Sequence, residues 1–362
     1  ALEISPFERW FSKVARNMWI RIEYLNYDVF DPGEKLIGNR TRTGDARVPF
    51  NILEPDPLDP TTLLIAGRAR AEDLGGISYL DTDGIRGTIG VPYRKFDYEW
   101  SWWAFEQNAD VVRANIPTGN QTPGNAFLTV VPTLRNGQLR DDTFLFFDDS
   151  FEARAHVESW GTDMKWLFKR SPQWPGLRVD PLIEARFLQL HENMHVVGVF
   201  TGESAFAGPL ANPLVTIIDS DSMNHIYGAG AGLSVRFVTP WVTFGVEPRG
   251  SLALNTYRSR VVAENVLANG VSQRTVDDGT TFSPTAELSA YFRLHPTPHC
   301  TIVGGYNALF VARVARPYES VRYDLLTDPV TGQIVSSDIS VDTDFRMMLL
   351  HGFSIGAEFT FK

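Results

Sequence analysis

The chain has 362 residues, 43% of them hydrophobic and 12% aromatic, with 33 Lys+Arg against 43 Asp+Glu and a net charge of −10. That balance argues against nucleic acid as a partner, since phosphate binding needs clustered basic side chains; the one cysteine, Cys300, excludes an intrachain disulfide framework and a multi-cysteine metal site. No run approaches the ~18 uninterrupted apolar residues of a membrane helix, but a membrane barrel hides its apolar face in every second position and escapes that test.

Residues 1–16 come first, and Pro6-Phe7-Glu8-Arg9-Trp10-Phe11 within them reads as a short amphipathic segment, an interfacial anchor or a plug on the periplasmic side. A leader sequence is expected to have been removed ahead of Ala1. From residue 17 to 362 the pattern becomes period-2 alternation. Strands are predicted near 17–28, 84–93, 96–106, 151–169, 177–190, 222–237, 241–257, 281–294, 300–312 and 346–361. The clearest hairpin sets Ile85, Ile89 and Val91 against Arg86 and Thr88, then Phe96, Tyr98, Trp100 and Trp102 against Asp97, Glu99 and Ser101. Later strands repeat it: Tyr227, Leu233 and Phe237 oppose Gly228, Gly232 and Arg236, and the chain closes with Phe353, Ile355, Phe359 and Phe361 against Ser354 and Glu358.

The connections alternate in length. Short ones fall at 94–95, 170–176, 238–240 and 295–299; long ones fall at 29–83, 107–150, 191–221, 258–280 and 313–345. A soluble β-sandwich has no reason to sort its loops by parity, whereas short periplasmic turns and long outer loops are what an outer-membrane barrel shows. The fold class expected is therefore all-β: a closed antiparallel transmembrane up-and-down β-barrel of about ten strands, with both termini on the periplasmic side. Because a lipid-facing Arg or Lys at mid-depth costs roughly 2–4 kcal/mol, the charged face must line the lumen. The residues assigned there are Arg21, Glu23, Arg86, Asp97, Glu99, Glu184, Arg186, Arg236, Glu247, Arg249, Glu287, Arg293 and Glu358. The lipid-facing girdle is assigned to Phe96, Tyr98, Trp100, Trp102, Trp166, Phe168, Phe244, Phe292, Phe359 and Phe361.

The segments Trp19–Leu25, Gly84–Trp103, Ser159–Arg170, Val179–Glu192, Ile226–Phe237, Thr297–Phe310 and Leu349–Phe361 together resemble the planctomycete-type outer-membrane β-barrel porin family, beta-barrel porin family seven. The resemblance covers most predicted strands and misses most long loops. It implies an outer-membrane barrel and brings neither a known substrate nor catalytic residues. One departure is that Lys362 follows the terminal aromatic Phe361.

Motifs of possible chemistry are few. His191-Glu192-Asn193-Met194-His195 spells H-E-x-x-H, which holds zinc only when both histidines share a helix face, and here it closes a predicted strand. Acid pairs Asp81/Asp83, Asp219/Asp221 and Asp342/Asp344 recur where chains re-enter the barrel, a pattern that suits a calcium-like rim. The run Phe144-Leu145-Phe146-Phe147 inside an outer loop calls for a cover. The expected function is a porin-like barrel with a narrow charged lumen, passing small solutes poorly or when gated; the alternative is a closed surface scaffold or adhesion barrel acting through its long loops. No enzyme activity and no cofactor are expected. The expected partners are outer-membrane lipid or glycolipid, and a protein at the outer loops or the N-terminal segment.

Overall fold

The computed structural model describes residues 18–29, 31–42, 44–55, 62–116, 126–170, 175–202 and 210–361, so the amphipathic segment expected within 1–16 lies outside the described residues. The described elements are all strands: β1 (Trp19–Val29), β2 (Phe50–Pro55), β3 (Leu63–Ala71), β4 (Thr82–Pro92), β5 (Phe96–Phe105), β6 (Asn108–Arg113), β7 (Ala126–Arg135), β8 (Gln138–Phe147), β9 (Ser150–Phe168), β10 (Leu177–Phe200), β11 (Leu214–Val238), β12 (Val242–Glu264), β13 (Ser272–Phe282), β14 (Thr285–Leu294), β15 (Cys300–Ala315), β16 (Val321–Thr327), β17 (Ile334–Val341) and β18 (Phe345–Thr360).

A ring of ten of them forms the wall. The order β1-β4-β5-β9-β10 follows antiparallel ladders; β10-β11-β12-β14-β15-β18 continues it, and β18 pairs back onto β1. These ten are the ten predicted strands. Alternation specifies them because a one-residue slip would move every charged side chain to the opposite face.

Partway up the wall the outward face turns from apolar to polar, and on β9 and β10 the inward face inverts with it. On β9 the buried, inward residues are Phe151, Ala153, Ala155 and Val157, then Ser159, Asp163 and Lys165. Its outward residues run the other way, Glu152, Arg154, His156 and Glu158, then Trp160, Met164, Trp166 and Phe168. On β10 the inward Asp180, Glu184 and Arg186 give way to Leu188, Leu190, Met194 and Val196, while the outward Ile183 and Phe187 give way to Gln189, His191, Asn193 and His195. The switch lies at one registered row, Trp160 on β9 beside Gln189 on β10 beside His225 on β11.

Most of the expected loops at 191–221 and 258–280 are strand: β10 runs on to Phe200, β11 starts at Leu214, β12 reaches Glu264 and β13 pairs with it. On β10 the alternation continues with its phase exchanged, while upper β11 keeps Ser220, Ser222 and Asn224 inward, so these strands outlast the pattern that announced them. The loops at 29–83, 107–150 and 313–345 are also structured. They supply a six-stranded sheet in the order β17-β16-β7-β3-β2 with β8 on β7, while β6 pairs with the wall at β9.

This outer sheet shares one apolar core with the upper wall. Leu25, Phe151, Leu190, Val311 and Leu350 from the wall pack with Tyr79, Val131, Leu145, Phe147, Leu325 and Ile339 from the outer segments. The Phe144–Phe147 run is thereby covered: Leu145 and Phe147 enter this core, and Phe144 and Phe146 pack on a second cluster around Ala69, Leu128 and Val130. Each fully buried large apolar side chain contributes roughly 1.5–3 kcal/mol, so the cap is an integral part of the fold.

The charged lumen as candidate functional site

Below the apolar cap, inward parity gathers the charges of the ring strands. At the short-turn end Asp97 meets Lys169 at 2.7 Å and Asp180 pairs with Arg236. Lys165 stands between Glu99 at 3.9 Å and Glu247 at 3.7 Å, and Glu247 accepts a hydrogen bond from Ser234 Oγ at 2.9 Å. In the next layer Arg249 donates to Glu184 at 2.9 Å, Arg186 lies 3.3 Å from Asp163, and both arginines pair with Glu287. On the opposite wall Arg21 sits 3.1 Å from Glu23, Arg86 is 3.7 Å from Glu23, and Arg293 is 3.7 Å from Glu358.

All thirteen residues assigned to the lumen from sequence thus fall into a cross-strand network. Asp163, Lys165 and Asp180 also belong to it and were overlooked; each has the same parity as an assigned neighbour, Asp163 and Lys165 opposite the outward Trp166, Asp180 in phase with Glu184. The side chains of Arg186 and Arg249 are 3% exposed and that of Glu184 is 1% exposed, so this layer is almost fully shielded from solvent. Gly232 makes room for it, since a Cβ there would meet Arg249 Cγ at 2.8 Å and Pro248 O at 2.4 Å.

Above this layer lies a cavity of about 50 Å³ bordered by Arg86, Ser101, Asp163, Arg186 and Asn307. It is large enough for a water or two. The lumen carries mixed charge, because Arg21, Arg86, Lys165, Arg186, Arg236, Arg249 and Arg293 each have an acid within 4.0 Å. Burying such charges is tolerable only when they pair, and the network meets that condition.

The girdle residues lie on the other face. Tyr98 and Trp166 touch with ring centroids 5.5 Å apart, Trp100 donates from Nε1 to Thr162, and Phe168, Phe244, Phe292, Phe359 and Phe361 are exposed, as is Trp102. Phe96 stacks on Tyr93. At the row where polarity switches, Phe187 touches both Trp160 and Tyr227 at 5.0 Å.

The rim acids are dispersed, and the calcium-like reading is corrected accordingly. Asp219 holds His195 Nδ1 at 2.7 Å, Asp221 holds His191 Nε2 at 2.7 Å, Asp83 accepts from Tyr24 and Asn26, and Asp344 faces Arg346 at 3.8 Å. Asp81 adopts a φ of 53° and Asp342 is exposed elsewhere. No group of three or more His, Cys, Asp or Glu side chains that could hold a metal occurs among the described residues. The H-E-x-x-H run lies within β10, where four residues of strand separate the histidines by about 13 Å. Glu192 points to the opposite side and pairs with Arg316.

A family model described as Putative beta barrel porin-7 (BBP7) matches residues 81–361. The chain belongs to this family. Membership places the BBP7 chain among outer-membrane β-barrels of porin type, in agreement with the resemblance drawn from its strands. No curated protein matches it. Among solved structures it is similar to the outer membrane protease OmpT of Escherichia coli, at 12% identity, covering 96% of this chain and 97% of that one with a TM-score of 0.46. It is also similar to the translocator domain of the autotransporter NalP of Neisseria meningitidis (6% identity, 97% and 93% covered, TM-score 0.36). A third likeness is to a Pseudomonas aeruginosa FadL homologue (12% identity, 95% and 90% covered, TM-score 0.27). At these scores none of the three bears on function.

Proposed function

We propose that the chain is an outer-membrane barrel that is shut at rest, with its short-turn end and both termini in the periplasm, and that it passes small solutes poorly or only when its outer cap shifts. The membrane band follows from the outward face. Between the row at Gln189 and the short turn before Leu177, β10 presents Val179, Ile183 and Phe187 over about 11 residues, the length that a tilted membrane strand requires. The observation that carries closure is the lumen itself: a buried ion-pair layer, a cavity of about 50 Å³ and an apolar cap above it. Lipid is the partner of the outward apolar band, and no catalytic role is assigned.

The continuity of the core supports a second reading. Wall and outer sheet share apolar contacts that a mobile gate would have to break, which favours a permanently closed scaffold presenting its outer sheet to a protein partner. Planar-bilayer recording distinguishes them. Discrete single-channel steps from the purified chain support the gated porin; a silent membrane with correctly inserted protein supports the scaffold.

A further inference from the structure

A cleft of about 1020 Å³ opens among the outer segments, apart from the lumen, where residues 34–41 and 44–47, the β7–β8 tip, the start of β16 and the link from β17 to β18 meet. Its size is at the upper end for a ligand site. Most of its acids are already committed: Glu34 and Asp45 to Arg47 at 3.1 and 2.6 Å, Glu319 to Lys35 and Arg346, and Asp344 to Arg346. Donors are left over. Arg40 is exposed in the cleft with no acid within 4.0 Å among the described residues; Arg322 already pairs through Nη2 with Asp324 at 3.1 Å, while its Nε and Thr343 Oγ1 are buried in the wall with no hydrogen-bond partner among the described residues.

We propose that this cleft binds a hydroxyl-rich organic anion. Arg40 takes the carboxylate, and the hydroxyls are shared among Thr343, Arg322 and the exposed carboxylate of Asp342, which pairs with no cation among the described residues. A free guanidinium pairs strongly with a carboxylate. A buried donor that gains a partner recovers the cost of its desolvation. The inference does not depend on whether the barrel conducts.

Calorimetry on the full chain in detergent tests it with three probes: D-gluconate, which has both chemistries, sorbitol, which keeps the hydroxyls, and hexanoate, which keeps the carboxylate. Saturable gluconate binding is expected, with sorbitol and hexanoate each about tenfold weaker or more. Arg40→Gln should weaken gluconate about fivefold or more, the loss of one exposed charge-assisted contact, and Thr343→Val about twofold or more. Arg40 is exposed, so unchanged heat-modifiable gel migration should confirm that its variant folds. Absence of saturable gluconate binding, equal binding of sorbitol, or an unaltered affinity in Arg40→Gln would each overturn the proposal.

Discussion

His191 sits on the outward face of β10 above the apolar band, held by Asp221 at 2.7 Å and Glu158 at 3.0 Å, with its ring 5.7 Å from that of His156. The hydrogen bond to Asp221, aided by Glu158 and opposed by partial burial, pushes its pKa up to about 9. A histidine raised in this way contributes stability that is complete below its unfolded pKa of roughly 6.5 and vanishes as pH climbs through the folded value. With allowance for solvent screening the contribution is about 1–2 kcal/mol. Unfolding midpoints of the wild type should therefore fall between pH 7 and 10, and His191→Gln should flatten that slope; an equally steep fall in the variant would remove His191 as its source. Within the cap, Arg316 and Glu192 are each 1% exposed and joined at 2.9 Å. Arg316→Met strands the carboxylate and is expected to cost about 3–5 kcal/mol in denaturant unfolding, while adding Glu192→Leu should restore most of it. Residues of this kind were not legible in sequence as a pair, because their separation along the chain is long and nothing local ties a loop arginine to a strand glutamate.

Among the elements, the strands that sequence revealed are those whose outward face carries an apolar band. The outer limits expected for β10, β11 and β12 were 190, 222 and 257, and each lies close to the row where the outward face turns from apolar to polar. Past that row Leu190, Met194 and Val196 turn inward and His191, Asn193 and His195 outward, so a reader who keeps one phase sees a strand dissolve. The outer sheet was hidden for another reason: β3–β7 and β7–β16 are parallel pairs between distant segments, which carry no turn signal. The β7–β8 hairpin did carry one, Asn136-Gly137 with φ of 49° and 75°, the Asn-Gly turn that fits a two-residue hairpin. β8 docks on the wall where Phe147 covers Gly198; a Cβ at that glycine would come 2.3 Å from the ring. Gly198→Val should therefore lift the hairpin at a cost of about 1–3 kcal/mol. Hydrogen exchange would then accelerate in β7 and β8 while the lower rungs of β10 and β11 keep their protection; uniform protection would show that the contact is dispensable.

For the whole molecule the decisive quantity is where hydrocarbon stops. If the exchange of polarity marks the outer boundary of the membrane, then two outward residues of one strand must respond differently to the same charge. Ile183 lies midway along the apolar band of β10, and Val197 lies above its boundary on the same face. Ile183→Arg should cost roughly 2–4 kcal/mol in folding into lipid vesicles, as a cation at the bilayer midplane does, whereas Val197→Arg should cost no more than about 1 kcal/mol. In a water-soluble molecule the two positions would be equally tolerant, since each side chain would point into solvent. The ratio of the two penalties thus measures membrane depth directly, independently of whether anything crosses the lumen. It also fixes how far the wall stands above the surface: from Gln189 to Phe200, β10 continues for about 12 residues beyond the switch row, some 30 Å of tilted strand. A wall that tall, packed inside with a shared apolar core and with the buried Arg316–Glu192 pair, builds a folded outer domain on a membrane base, and equal penalties at Ile183 and Val197 would dismantle that division.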